Sequence, residues 1–104
     1  MLGGVPELRE KEIEHKLVTE TNKHGGLAWK FTSPGTAGVP DRIILLPQGK
    51  IGFVEVKAPH KKTRAIQTRR LEQLRELGFK VFVLDDAEQI ENILLQVENI
   101  DLQS

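Results

Sequence analysis

The stretch Gly38-Val39-Pro40-Asp41-Arg42-Ile43-Ile44-Leu45-Leu46-Pro47-Gln48-Gly49-Lys50-Ile51-Gly52-Phe53-Val54-Glu55-Val56-Lys57 decides the fold. Two apolar, β-branched runs flank the turn residues Pro47-Gln48-Gly49-Lys50, so residues 41–46 and 51–57 predict strands of an antiparallel hairpin. Alternation places Phe53, Glu55 and Lys57 on one face of the second strand and Gly52, Val54 and Val56 on the other. Both faces start apolar, which predicts a strand inside the sheet. A Glu and a Lys at the end of such a strand are costly unless they are paired or bind a metal. A simple ion pair at a strand end satisfies that requirement. Asp41 makes a second explanation necessary. It opens the neighbouring antiparallel strand, after the stiffening Pro40, and so comes close to Glu55 and Lys57. Two carboxylates and a lysine at one sheet end suit a hard divalent cation with oxygen ligands. The lysine suits an attacking water or phosphate charge.

The rest of the chain supplies the layers around this hairpin. Upstream, residues 7–24 predict a helix that Pro6 can start and Gly25-Gly26 stops. Residues 27–32 predict a short strand in which Leu27, Trp29 and Phe31 alternate, and residues 33–40 a Pro- and Gly-bearing loop. Downstream, Thr63 is a candidate N-cap for a helix over about 64–77 that Gly78 closes. Residues 80–84 predict a strand, and Asp85 or Asp86 caps a last helix over about 87–97. The order is α-β-β-β-α-β-α, a mixed α/β domain with no internal repeat or linker, read as one domain over 1–104.

Two helices aim polar groups at the same region. On the first, Glu10, Ile13, Glu14 and Leu17 share a face, so Glu10 and Glu14 border the buried stripe. On the second, Gln67 shares a face with Leu71 and Leu74, and lies near the end that should meet Lys57. Taken singly, Glu10 is also explained as a first-turn acid that favours the helix dipole, and Gln67 as a surface amide.

The whole chain has 104 residues, with 15 Lys+Arg against 15 Asp+Glu. The zero net charge excludes a globally basic protein that coats nucleic acid by charge alone. It hides an asymmetry. Residues 56–71 contain no acid and carry Lys57, Lys61, Lys62, Arg64, Arg69 and Arg70, a candidate phosphate-binding surface. Residues 81–104 contain no Lys or Arg and carry Asp85, Asp86, Glu88, Glu91, Glu98 and Asp101. The absence of cysteine excludes disulfides, zinc fingers and thiol nucleophiles. No apolar run approaches the roughly 20 residues of a membrane helix, and no signal-peptide core is visible, so a cytoplasmic protein is expected.

Pro40-Asp41 followed by Glu55-Val56-Lys57 resembles the PD-(D/E)xK nuclease signature. The surrounding text is more specific. Gly26-Leu27-Ala28-Trp29-Lys30-Phe31-Thr32-Ser33-Pro34-Gly35, Gly38-Val39-Pro40-Asp41-Arg42, Phe53-Val54-Glu55-Val56-Lys57-Ala58-Pro59, Gln67 and Leu77-Gly78-Phe79 resemble the VRR-NUC family over about residues 10–84. The resemblance implies a restriction-endonuclease-like core with an extra C-terminal helix. It implies a Mg²⁺- or Mn²⁺-dependent phosphodiesterase acting on DNA. Asp41, Glu55, the Val56 carbonyl and Glu10 would hold metal, with Glu14 the alternative to Glu10. Lys57 would position or activate water, and Gln67 would orient Lys57 or that water. Lys30 would touch the scissile phosphate or pair with a site acid. Ser33, in the loop 33–40, and Lys61, Lys62, Arg64, Arg69 and Arg70 would meet DNA elsewhere. Stand-alone members resemble Holliday-junction resolvases, which implies a homodimer on branched DNA in a bacterial or phage-infected cell. A less selective flap, end or duplex nuclease and a non-catalytic nucleic-acid-binding module are the competing expectations.

Overall fold

A computed structural model describes residues 8–99. Its elements are helix α1 (Glu10–Lys23), strands β1 (Leu27–Lys30), β2 (Arg42–Leu46) and β3 (Lys50–Val56), helix α2 (Ala65–Glu76), strand β4 (Lys80–Leu84) and helix α3 (Ile90–Glu98). The expected order holds throughout. The strands form one mixed sheet in the order β1-β2-β3-β4, with β3 inside it. The β1–β2 and β2–β3 pairs are antiparallel. The β3–β4 pair is parallel, because α2 carries the chain back across the sheet. This is the α/β architecture with helices on both faces that the hairpin and its flanks predict.

The alternation in β3 separates two cores. Val54 and Val56 pack with Ile13 and Leu17 of α1 and with Ile90, Ile93, Leu94 and Val97 of α3. Phe53, on the opposite face, packs with Leu71 of α2 and Val81 of β4. Gly52 lets α3 approach the sheet closely. A Cβ there would lie 2.6 Å from Val97 Cγ2. Among the described residues, no helix is long and apolar enough to cross a membrane.

Element ends differ from expectation where a side chain, rather than a propensity, sets the boundary. The first helix starts at Glu10, not residue 7. Glu12 Oε1 accepts the Arg9 backbone N–H at 2.8 Å and fixes the first turn there. Pro6, expected to start it, lies outside the described residues. The second helix takes Arg64 as its N-cap residue in place of Thr63. Gln67 Oε1 accepts the Arg64 N–H at 2.9 Å, while the Thr63 hydroxyl pairs with that of Thr68 at 2.7 Å. Helix α3 begins at Ile90 after a 3-10 turn over Ala87–Gln89. Asp86 caps that 3-10 turn, its Oδ1 accepting the Glu88 N–H at 2.9 Å, while the N-cap residue of α3 itself is Gln89. Strand β1 ends at Lys30, although Phe31 N–H still reaches Asp41 C=O at 2.8 Å.

Candidate active site

The end of the β2–β3 hairpin gathers the carboxylates. In the register, Arg42 faces Val54. One step further, Asp41 faces Glu55 across the two strands. Asp41 Oδ2 accepts the Val56 N–H at 2.8 Å. The N–H and C=O of one strand residue leave on the same side, so the Val56 carbonyl also turns toward Asp41.

Glu55 is buried, at 2 % exposure. Its Oε2 is held twice, by Gln67 Nε2 at 2.8 Å and by Lys57 Nζ at 3.2 Å. Its Oε1 is buried with no hydrogen-bond partner. An orphaned carboxylate oxygen is unusual in a folded core and calls for a ligand. Burial pushes the Glu55 carboxyl above the ordinary carboxylate range, and the charge on Asp41 pushes it further. The Lys57 ammonium opposes both, and Glu10 adds a smaller upward push.

Gln67 has a different partner from the one expected. It holds Glu55 itself, with its other amide atom tied to the start of α2. Lys57 is only 14 % exposed and also faces Glu55. The first helix separates its two candidates. Glu14 Oε2 accepts Arg42 Nε at 2.8 Å, and Arg42 Nη1 also donates to Ala28 C=O at 2.9 Å. That pair fastens α1 to β1 and β2. Glu10 is exposed and acts on Glu55 through its charge. Among the described residues, no three Asp, Glu or His side chains stand close enough to form a complete metal cage. Asp41, Glu55 and the Val56 carbonyl remain, which suits an ion that keeps much of its water, as Mg²⁺ does.

The basic residues divide. Lys30, Lys61, Lys62, Arg64 and Arg69 are exposed. Lys30 sits opposite Arg42, one position from Asp41. Arg70 is committed elsewhere. Its Nε donates to Ala37 C=O at 2.8 Å and its Nη1 to Gln73 at 3.1 Å, so it pins the loop over 31–41 onto α2. Ser33 is half-buried and lines a cavity of about 480 Å³ with Phe31, Val39, Arg70 and Leu74. Sequence spacing missed the Arg42–Glu14 and Arg70–Ala37 clamps. Their partners lie 28 and 33 positions apart, and only the neighbourhood of Arg42 to Asp41 hinted at the first.

A mixed four-stranded sheet with an Asp and a Glu-x-Lys at one end defines a domain of nuclease type. Comparison with known proteins agrees. The VRR-NUC domain model matches residues 5–87, and the chain belongs to that family. It is 54% identical over 78 residues to "Putative nuclease p44" of Acyrthosiphon pisum secondary endosymbiont phage 1, covering 75% of this chain and 84% of that protein. A solved structure of a VRR-NUC domain superposes with a TM-score of 0.77 at 31% identity, covering 83% of this chain and 94% of that one.

Proposed function

We propose that the chain is a metal-dependent, structure-selective DNA endonuclease that hydrolyses phosphodiester bonds and resolves four-way junctions as a homodimer. The observation that carries the metal site is the buried, partnerless Oε1 of Glu55 opposite Asp41. Asp41, Glu55 and the Val56 carbonyl are the ligands for Mg²⁺ or Mn²⁺, and Glu10 adds charge or a water-mediated contact. When bound, such an ion lowers the pKa of water and neutralises charge on the reacting phosphate. Gln67 and Lys57 keep Glu55 turned toward the site. The Lys57 ammonium adds positive charge where the phosphate's negative charge grows. Lys30 flanks the scissile phosphate, and Ser33 meets DNA away from it. Lys61, Lys62, Arg64 and Arg69 grip the backbone further away, without base contacts, so the fold selects DNA by shape. Arg70 serves DNA binding indirectly, by holding the loop that leads to Asp41.

The nuclease domain is taken to span residues 1–104. Such an enzyme would act in the cytoplasm of a bacterial or phage-infected cell. Two active sites in a homodimer suit the paired strands of a junction. The test is cleavage of a labelled four-way junction with Mg²⁺, Mn²⁺ or EDTA, mapped on both strands. Paired, metal-dependent nicks are expected. Equal rates on linear duplex and junction would reject junction selectivity and leave a general duplex nuclease.

A further inference from the structure

The sheet face that carries α2 is covered over only part of its length. Pairing aligns Leu27 with Leu45 and Leu45 with Ile51. Extending the parallel pairing by one residue, from Gly52–Lys80, aligns Ile51 with Phe79. These four make one apolar row across all four strands. The next row is Trp29, Ile43, Phe53 and Val81. Leu71 and Leu74 of α2 lie over the second row. The helix ends at Glu76, so the first row stays open, and so does Trp29 at the sheet edge. Exposure is 47 % for Leu27, 58 % for Trp29, 41 % for Ile51, 41 % for Phe79 and 75 % for Leu77 just past α2. No charged side chain stands in either row.

We propose that a second copy of this chain covers the row Leu27–Leu45–Ile51–Phe79, together with Trp29 and Leu77, across a two-fold axis. This rests on the homodimer reading above and assigns its surface. With large side chains offering roughly 150–250 Å² each, the exposed fractions leave about 500 Å² of apolar surface, as large as the largest patch on an ordinary monomer. A stable dimer covers about 800 Å² per partner, which this strip and a polar rim supply. An apolar strip without charge meets its own copy without repulsion, as a two-fold interface requires. The rows themselves offer phosphate no cation, and Arg70 and Glu76 stand beside Leu77 at the rim. The strip also lies away from the chemistry. Ile51 and Glu55 are four residues apart on β3, about 13 Å, so both carboxylate pairs remain open to DNA in the dimer.

Trp29 is the single tryptophan and there is no tyrosine, so its fluorescence reports this surface directly. Sedimentation velocity and Trp29 emission are followed together on dilution. The expected result is a dimer whose dissociation shifts Trp29 emission to the red over the same concentrations. Leu27→Glu/Leu77→Glu should weaken dimerisation at least tenfold and give red emission at all concentrations. Leu77→Glu alone, at a site with little to lose in folding, checks that far-UV circular dichroism and cooperative unfolding persist while the dimer weakens. A dimer that survives in the double variant, or forms without a Trp29 shift, overturns this surface and leaves the homodimer standing on another. A wild-type chain that stays monomeric with and without junction DNA overturns both. Quenching of Trp29 by a single-stranded oligonucleotide, with no dependence on protein concentration, assigns the face to nucleobases instead and overturns the proposal.

Discussion

At Glu55, one carboxylate oxygen is held by Lys57 and Gln67 while the other is buried and unpaired. A buried polar atom without a partner costs about 1–3 kcal/mol. A divalent cation offsets that cost, so Mg²⁺ or Mn²⁺ should stabilise the folded chain by mass action. At a hundredfold excess over Kd the gain is about 2.7 kcal/mol, several degrees in Tm. Differential scanning fluorimetry with metal and with EDTA reads this; no metal shift in the wild type would remove the site. Asp41 needs a careful variant, because its Oδ2 also accepts the Val56 N–H. Asp41→Ala removes both metal ligand and acceptor and should lower Tm as well as abolish cleavage. Asp41→Asn keeps an acceptor for Val56, so it should lose cleavage by a hundredfold or more, the upper range for weakened metal sites, with Tm nearly kept. Cleavage at the wild-type rate in Asp41→Asn would refute the assignment. Asp41, Glu55 and Lys57 were legible in the sequence because strand alternation and hairpin pairing are local rules. The partner of Gln67 was not, because it depends on how α2 crosses the sheet, which no spacing encodes.

The loop between β1 and β2 is positioned by contacts with α2. Arg70 holds Ala37 C=O, and Gly38 sits against Ile66 with a φ of +83°. A Cβ at Gly38 would lie 2.8 Å from the Ile66 carbonyl oxygen, a backbone atom with little freedom to retreat. Gly38→Ala should therefore cost about 1–3 kcal/mol through left-handed backbone strain and the clash. It should slow cleavage too, since the loop delivers Asp41 three residues later. Thermal melts and single-turnover rates check both; an unchanged Tm would mean the loop yields easily. The exposed Lys61 and Lys62 lead into α2 and act at longer range. If each neutralises one phosphate, replacing either by Ala should reduce the slope of log K against log salt by about 1. A slope equal to that of wild type would place that lysine off the DNA path. At this scale the elements were readable because Gly25, Gly78 and the apolar alternation mark stops and strands. Their first residues were not, because side chains three positions on, Glu12 and Gln67, receive the Arg9 and Arg64 N–H groups and fix where each helix begins. The open row on the sheet was hidden for a related reason. Alternation shows which face is apolar, but only the length of α2 relative to the sheet shows how much of that face is covered.

Across the molecule, the end of α1 is joined to α3 by one ionisable clamp remote from the carboxylate pair. His24 follows α1; its Nδ1 bonds Glu98, and its Nε2 faces Glu91 Oε2 at 3.1 Å. Lys50, at the start of β3, donates to the Glu98 carbonyl, which brings the sheet into the same junction. The His24 side chain is 17 % exposed. The hydrogen bond that His24 donates to Glu98 raises its pKa above the ordinary 6.5, against the opposing effect of burial, and Glu91 raises it further. The protonated imidazole is thus bound more tightly in the folded chain than in the unfolded one, so the stabilisation is complete below about pH 6.5. It fades as pH rises through the folded-state value, because the neutral ring can donate to only one carboxylate. For a partly exposed pair the amount at stake is on the order of 1 kcal/mol. The wild-type chain should lose a few degrees of Tm on going from pH 6 to the alkaline side of that titration. His24→Gln keeps a polar side chain but no charge, and it should lower Tm at pH 6 and flatten the pH dependence. The difference between the two melting curves isolates His24 from the other histidines, His15 and His60. The variant's active site is untouched, so single-turnover cleavage at a temperature well below Tm should match wild type. A wild-type Tm that rises over the same pH range, or a His24→Gln curve parallel to it, would show that α1 and α3 are held by Ile13, Leu17 and Leu94 packing alone.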